Sequence, residues 1–354
     1  LKDRVDRERL RSPHAALEIA EIGLEVAHFA HTPRCQALAA WAKGNVLIHL
    51  GDYAECLDLY RQAARFFAAD GAEVESARLA ANQAFVLKNL GRYEVGLQAA
   101  QAALSVLRKY PPSVYMGSAL NAVGTLNRLL GRFDEALLAF SECEQIYASL
   151  GDEVRQARAN INRANVLENL DRFAEAVALL KAARRVLVGQ ERSLEVARAD
   201  LNLGIIYTRL GRYDQALEAL DRAQEEFAAL DNAMETAVVA LYRADLYAGF
   251  NLFTELLQVS TRDWQLFEER HMQWQAARAA LHQAVAWRRL GGISQADERL
   301  DAALEAFERT GDPVWSQLTR LERAALWCER DEWARALPLA VETGTFFDDK
   351  GMPL

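Results

Sequence analysis

The sequence has no long apolar run, because Lys, Arg, Asp or Glu interrupts every long apolar window before it reaches about 18 residues. This excludes a helix that spans a membrane, and we expect no membrane partner. Proline and glycine are also few, with 7 and 19 among 354 residues, so little of the chain is available for long loops. The composition therefore excludes a collagen-like or disordered chain and favours a compact folded one.

Cysteine is scarce as well, and the four cysteines lie far apart without any Cys-x-x-Cys pair. They are Cys35, Cys56, Cys143 and Cys328. This usage argues against a disulfide framework and against a zinc module, and it is typical of the reducing cytoplasm. The net charge of -9 makes nucleic acid an unlikely partner, because broad nucleic-acid binding needs a basic surface.

Catalytic and cofactor-binding motifs are missing too, since the sequence contains no GxxxxGK, no GxGxxG after a strand and no HExxH. His28, His31 and Cys35 come nearest to a metal site, but they lack a fourth donor and are interpreted as surface residues. We therefore predict no enzyme activity, no cofactor and no metal. Because the chain begins with Leu1 and no signal peptide follows, we expect it to be part of a longer protein.

What the sequence does contain is a period of forty residues. A tetrapeptide of the type Leu-Gly-Arg-Tyr recurs clearly five times, and weaker versions continue the series in both directions. The turns lie near residues 10, 50, 90, 130, 170, 210, 250, 290 and 330. A second set of turn residues lies half a period away, so each period holds two segments. We interpret residues 1–354 as a single array of about nine such units.

The segments between turns have the composition and apolar spacing of amphipathic helices. In the first segment of each period, called helix A, one position never carries a side chain larger than a methyl group. Its residues are Gly44, Ala84, Gly124, Ala164, Gly204, Ala244, Ala284 and Ala324. Small residues at a fixed position indicate that helix A closely approaches the second segment, helix B. The sequence thus predicts an all-α chain of about nine antiparallel helix pairs without any sheet.

These residues resemble the tetratricopeptide repeat, whose pattern is matched by Gly204, Tyr207, Gly211, Tyr213 and Ala216. The resemblance covers nearly the whole chain and implies a right-handed α-α superhelix. The forty-residue period is similar to that of long-helix arrays in bacterial signalling proteins, which flank caspase-like CHAT proteases, NTPase switches or transcription activators. The resemblance therefore implies a protein-interaction scaffold, or alternatively a regulatory arm that restrains an attached domain of one of these kinds.

Family geometry implies a concave groove lined by four rows of helix A. Over residues 34–213 these rows hold no acidic residue and seven of the twelve asparagines of the chain, including Asn45. Our predicted partner-binding residues are Arg78, Asn82, Asn89, Arg158, Asn162, Asn165, Asn169, Arg198, Asn202 and Arg209. Asparagine amides both donate and accept hydrogen bonds, and arginine binds carboxylates. We expect an extended acidic or neutral peptide, which could belong to the same polypeptide; alternatively, the asparagines bond neighbouring helices.

The carboxyl-terminal half departs from the pattern in two ways. Leu256, Ser260 and Asp263 replace small or apolar residues of helix B, which predicts an irregular repeat over about 234–270. Six of the seven tryptophans also lie in this half, and we interpret them as core residues rather than a ligand pocket. They are Trp264, Trp274, Trp287, Trp315, Trp327 and Trp333.

The last segment carries three further expectations. Pro338 should bend or interrupt its helix. Phe346 and Phe347 should expose apolar surface, which would permit self-association through the end of the array. Residues 350–353 match the turn that separates two repeats elsewhere in the chain, so another helix A is expected to follow them.

Overall fold

The computed structural model describes residues 2–9, 12–30 and 32–349, and within these ranges it is all-α, with eighteen helices and no strand. The helices are α1 (Lys2–Glu8), α2 (Pro13–Ala30), α3 (Pro33–Leu50), α4 (Tyr53–Ala69), α5 (Glu73–Asn89), α6 (Tyr93–Leu107), α7 (Val114–Leu129), α8 (Phe133–Ser149), α9 (Glu153–Asn169), α10 (Phe173–Gly189), α11 (Ser193–Arg209), α12 (Tyr213–Ala229), α13 (Ala233–Gly249), α14 (Phe253–Glu269), α15 (Gln273–Arg289), α16 (Ile293–Thr310), α17 (Pro313–Glu329) and α18 (Trp333–Asp349). Among the described residues, none of these helices is long and apolar enough to cross a bilayer.

The chain divides into two compact units, Leu1–Arg192 and Ser193–Leu354, called unit 1 and unit 2. Unit 1 holds α1 to α10 and unit 2 holds α11 to α18. Within each unit, odd-numbered helices are helix A and even-numbered helices are helix B, and consecutive helices pack against each other. The predicted helix pairs are thus confirmed in both units, including one shortened pair formed by α1 and α2.

The turns explain why the period is so regular. All eight predicted short turns within the described residues place one residue in the left-handed region, such as Gly131 with φ of 74°. Three of these short turns, and three of the turns between repeats, place a residue other than glycine there, although the left-handed region is costly for such residues. These residues are Asp171, Glu191, Asp231, Asn251, His271 and Asp331. The turn predicted near residue 10 falls on Leu10 and Arg11, outside the described residues.

The small-residue position of helix A brings the two helices of a repeat together. A Cβ atom added at Gly124 would lie 2.8 Å from the ring of Phe140, and one added at Gly44 would lie 2.5 Å from the ring of Tyr60. At Gly204 it would lie 2.6 Å from Leu220. Glycine thus occurs here opposite a large helix B side chain, which fills the space that a Cβ atom would need.

The repeat formed by α13 and α14 is irregular, as predicted. In a regular repeat of unit 1, helix B packs mainly against helix A of its own repeat, as α8 does against α7 rather than α9. In this repeat the order is reversed, because α14 packs more extensively against α15, of the next repeat, than against α13. Leu256, Ser260 and Asp263 are all buried in this repeat. A larger aliphatic side chain and a carboxylate in these positions prevent the close approach that alanine permits elsewhere.

The last helix departs from the sequence expectations in that it is not interrupted at Pro338 and in that Phe347 exposes no apolar surface, while Phe346 is half-buried. α18 is not interrupted, because it runs through Pro338, which removes only one backbone donor near its beginning. Phe347 is buried because it occupies the same core row as Phe227, Phe267 and Phe307. The exposed apolar side chains of α18 are instead Trp333, Leu337 and Val341. Residues 350–353, where a further helix A was expected to follow, lie outside the described residues.

Candidate functional site

Unit 1 contains a cavity of about 680 Å³ between consecutive helices A. Its walls come from α3, α5, α7 and α9, and residues of α1 and of the segment after it close one side. Three predicted partner-binding residues, Arg78, Asn82 and Asn162, line this cavity. Because helix A recurs every forty residues, the walls present equivalent rows of side chains side by side.

Arg78 lies between two aromatic rings within this cavity. Its guanidinium carbon is 3.8 Å from the centre of the Tyr115 ring and 4.8 Å from that of Trp41. Such stacking uses the faces of the guanidinium and leaves the N–H donors at its edge available. Among the described residues Arg78 has no hydrogen-bond or ion-pair partner, so these donors are free for a ligand.

Asn45, in contrast, is fixed by its neighbours. Tyr60 donates a hydrogen bond to Asn45 Oδ1 at 2.6 Å, and Asn45 Nδ2 donates to Asp6 Oδ1 at 2.8 Å. Burial raises the pKa of Asp6, but hydrogen bonds from Lys2 and Asn45 and the charges of Lys2 and Arg9 outweigh this effect and hold that pKa below its usual value. Asp6 therefore remains a carboxylate.

The charge of the cavity is opposite to that of the whole chain. Lys2, Arg9, Arg78 and Lys88 line it, with Asp6 as the single acidic residue of the lining. Burial and the nearby charge of Arg128 lower the pKa of Lys88. A desolvated ammonium group near another cation is a favourable position for an anionic ligand group.

The two predicted asparagines of the cavity differ in their bonding. Asn162 Nδ2 donates to Asn121 Oδ1 at 2.7 Å, which joins α9 to α7. This is the alternative interpretation of the asparagines, and it holds for Asn162 and for Asn45. Asn82 has no such bond among the described residues, so both its donor and its acceptor face the cavity unpaired.

The other predicted residues do not line the cavity. Asn89 is exposed and donates to the carbonyl of Phe85 in its own helix at 2.8 Å. Arg158 and Asn169 are also exposed, and Asn165 is half-buried. The remaining three belong to unit 2, where Arg198 donates to Glu235 at 2.9 Å. They are Arg198, Asn202 and Arg209.

Sequence reasoning missed the aromatic residues of the site. Trp41 and Asn121 lie one residue before the row that contains Asn82 and Asn162, on the same side of helix A. Trp41 is the one tryptophan outside the carboxyl-terminal half, and this isolation was the available signal. No other repeat of unit 1 has an aromatic residue at the position equivalent to Tyr115, so the sequence offered no signal for it.

Across the described ranges, no group of three or more His, Cys, Asp or Glu side chains has the geometry to hold a metal ion. His31, one of the three residues weighed as a metal site, lies outside those ranges.

Comparison with known proteins gives a match to one family. A family model described as tetratricopeptide repeat matches residues 75–149 and 155–225, which include most of the cavity walls. These two ranges, about two fifths of the chain, match the tetratricopeptide repeat family. No curated protein sequence matches it.

Three solved structures illustrate how widely this tetratricopeptide fold is shared. A Rap protein complexed with Competence and Sporulation Factor is 19% identical with a TM-score of 0.66, over 87% of this chain and 84% of that one. The Rap conjugation gene regulator of plasmid pLS20, in complex with the Phr* peptide, is 15% identical with a TM-score of 0.54, over 79% and 76%. The tetratricopeptide sensor protein of the STAND ATPase class from Pyrococcus horikoshii is 11% identical with a TM-score of 0.65, over 94% and 53%. At these identities the likeness shows the fold alone.

Proposed function

We propose that this chain is a non-catalytic interaction module whose unit 1 binds an extended peptide segment of a protein partner. The observation that carries the proposal is the cavity of about 680 Å³, whose lining combines four cationic side chains with asparagine amides. An extended backbone needs alternating donors and acceptors, and an unpaired amide such as that of Asn82 offers both. The complex of the pLS20 regulator with a peptide supports this use of the fold.

The dimensions of the cavity set the length of the segment. Packed helices lie about 10 Å apart, so the three steps from α3 to α9 correspond to about nine extended residues. Because the lining carries four cations and one carboxylate, we expect a neutral or acidic segment rather than a basic one.

Selection from a random display library of peptides of about nine residues tests this function. We expect enriched peptides to lose about tenfold in affinity with Asn82→Ala, because this change removes the unpaired amide that would bond their backbone. The matched control is Arg65→Gln on α4, an exposed helix B residue without a partner among the described residues. If the control weakens binding as much as the cavity variant, the cavity is not the site.

A regulatory arm is the second candidate, and the structural likeness to the sensor of a STAND ATPase favours it. In this case a peptide in the cavity would change the activity of a protease, NTPase or activator domain attached to the chain. The test is to measure that activity in the full-length polypeptide with the selected peptide present. An activity that does not change when the cavity is saturated would contradict the regulatory role and leave the peptide-binding role intact.

A further inference from the structure

The residues around Arg78 in unit 1 have counterparts in unit 2, five periods further along the chain. Arg78 corresponds to Arg278, Asn45 to Asp245, Asn82 to His282 and Tyr115 to Trp315. Each unit therefore holds an arginine on helix A with an aromatic residue of the next helix A beside it. The distances to that aromatic ring are similar, 3.8 Å for Arg78 and 4.3 Å for Arg278.

In unit 2 the chain fills this position with its own carboxylate. Arg278 Nη2 donates to both carboxylate oxygens of Asp245 at 2.7 Å, and His282 Nε2 lies 2.7 Å from Asp245 Oδ1. Arg278 is only 6% exposed. Burial raises the pKa of Asp245, but the bonds and charges of His282 and Arg278 more than offset this effect and keep that pKa below its usual value.

In unit 1 the corresponding carboxylate is missing, because Asn45 takes the place of Asp245 and is bonded to Tyr60 and Asp6. Arg78 is left without an anionic partner among the described residues. A second observation also points to a ligand: Trp41 lines the cavity and is 4% exposed, yet its buried Nε1 has no acceptor. A buried donor without an acceptor is costly, and a bound acceptor would remove that cost.

We propose that Arg78 receives a carboxylate of the bound peptide, as Arg278 receives that of Asp245, and that Asp245 closes the equivalent position in unit 2. This inference rests on the proposed function, because the carboxylate belongs to the peptide that unit 1 binds. It adds a chemical requirement: one acidic side chain or the carboxyl terminus must reach the edge of the guanidinium between Trp41 and Tyr115.

The first test compares three versions of a peptide selected on unit 1. One keeps its acidic side chains and has an amidated terminus, one has amides for those side chains and a free terminus, and one has no carboxylate. We expect one of the first two to bind about tenfold more tightly than the third, which also identifies the source of the carboxylate. The indole N–H resonance of Trp41, assigned with Trp41→Phe, reports the binding.

Variants locate the carboxylate. Arg78→Gln should abolish the preference for the acidic peptide, Lys88→Gln in the same cavity should weaken it less than Arg78→Gln does, and Arg65→Gln on α4 should preserve it. Equal affinity of all three peptides for the unaltered chain, or a preference that depends on Lys88 instead, would overturn the inference while leaving peptide binding intact. Failure of every peptide to bind would instead refute the proposed function.

The second test changes the residues at the corresponding positions 45 and 245 of the two units. Asn45→Asp, combined with Asp6→Asn so that two carboxylates do not come into contact, should supply an internal carboxylate beside Arg78 and abolish the preference for acidic peptides. Asp245→Ala should lower the melting temperature. Acetate, which can replace the missing carboxylate, should restore part of this loss, whereas acetamide should not, after the effect of each additive on the unaltered chain is subtracted. If Asp245→Ala does not fold, the double variant of residues 6 and 45 decides, and a preserved acidic preference in that variant would contradict the correspondence between the units.

Discussion

The helix pairs α7–α8 and α13–α14 occupy equivalent places in the forty-residue period but pack differently. In α7–α8, Gly124 faces Phe140, and Cys143 is buried and donates from Sγ to the carbonyl of Gly117 at 3.2 Å. Burial raises the pKa of Cys143 to about 12, so its thiol stays neutral and packs as a small apolar group. Asp263 occupies the position of Cys143 in the α13–α14 pair, three periods later. Burying a carboxylate there costs more free energy than burying a neutral thiol.

The irregular pair places its polar groups in a different environment. Asp263 is 4% exposed, and Arg262 Nη2 donates to it at 3.4 Å from a largely exposed side chain. Burial raises the pKa of Asp263 despite the nearby charges of Arg262, Arg243 and His282. Ser260 donates to the carbonyl of Leu256, and Gln283 of α15 donates to the carbonyl of Ser260. One period thus supports close apolar packing or looser polar packing, according to a few side chains.

The largest effect is expected where the regular pair is tightest. Gly124→Ala should cost about 2 kcal/mol in the free energy of unfolding, because the new Cβ atom would overlap the Phe140 ring. Adding Phe140→Leu should recover most of this loss, since Ala284 and Leu300, which occupy the same two positions of their repeat, share one core cluster. Urea denaturation measures both.

The matched control for this change is Gly189→Ala, at the end of α10, where a Cβ atom would meet nothing within 4 Å. Its effect should be neutral or slightly stabilising. If both alanine substitutions change stability equally, the close approach of α7 and α8 does not limit the size of residue 124.

A smaller effect is expected in the irregular pair. Asp263→Asn should stabilise the chain by about 1 kcal/mol at pH 7, because the carboxylate is buried with weak compensation. A raised pKa means that the folded state binds the proton more tightly than the unfolded state. The unaltered chain should therefore gain stability relative to the variant as the pH falls through the folded-state pKa of Asp263.

Denaturation at pH 7 and near pH 4 compares the two chains, and Asp263→Ala separates the charge from the volume of the side chain. A stability difference that does not shrink on acidification would show that Asp263 is well compensated in the folded state.

The smallest effect concerns a turn between repeats. Glu191 has a φ of 53°, and its exposed side chain has no partner among the described residues. Glu191→Gly should stabilise the chain by about 0.5–1 kcal/mol, because glycine adopts this conformation without strain. Glu191→Ala keeps the strain and should change the melting temperature little; an equal gain from alanine would point to the side chain instead.

Repetition determined which parts of the fold were predictable from the sequence. The turns, the small-residue row and the irregular α13–α14 pair are visible because eight copies can be compared, and each departure stands out. The division between Arg192 and Ser193 has no such signal, because the period continues through it.

The site was predictable only in part for the same reason. Arg78, Asn82 and Asn162 lie in rows where polar residues recur, but Trp41 and Tyr115 are single departures within unit 1. The recurrence of asparagine at equivalent positions does not indicate which side-chain amides are hydrogen-bonded to neighbouring residues. The amides of Asn45 and Asn162 are satisfied by neighbours, whereas that of Asn82 is not, and this depends on side chains from adjacent helices.

The contribution of the first helix to the cavity has a practical consequence. Lys2 and Arg9 provide two of the four cations of the lining, and both lie within the first nine residues. A protease that cuts just after Arg9 would remove two of the four cations around the ligand, together with Asp6, which bonds Asn45, and Val5, which packs against α3. An affinity tag fused to this end would likewise stand at the mouth of the cavity, so tags for binding measurements belong at the other end of the chain.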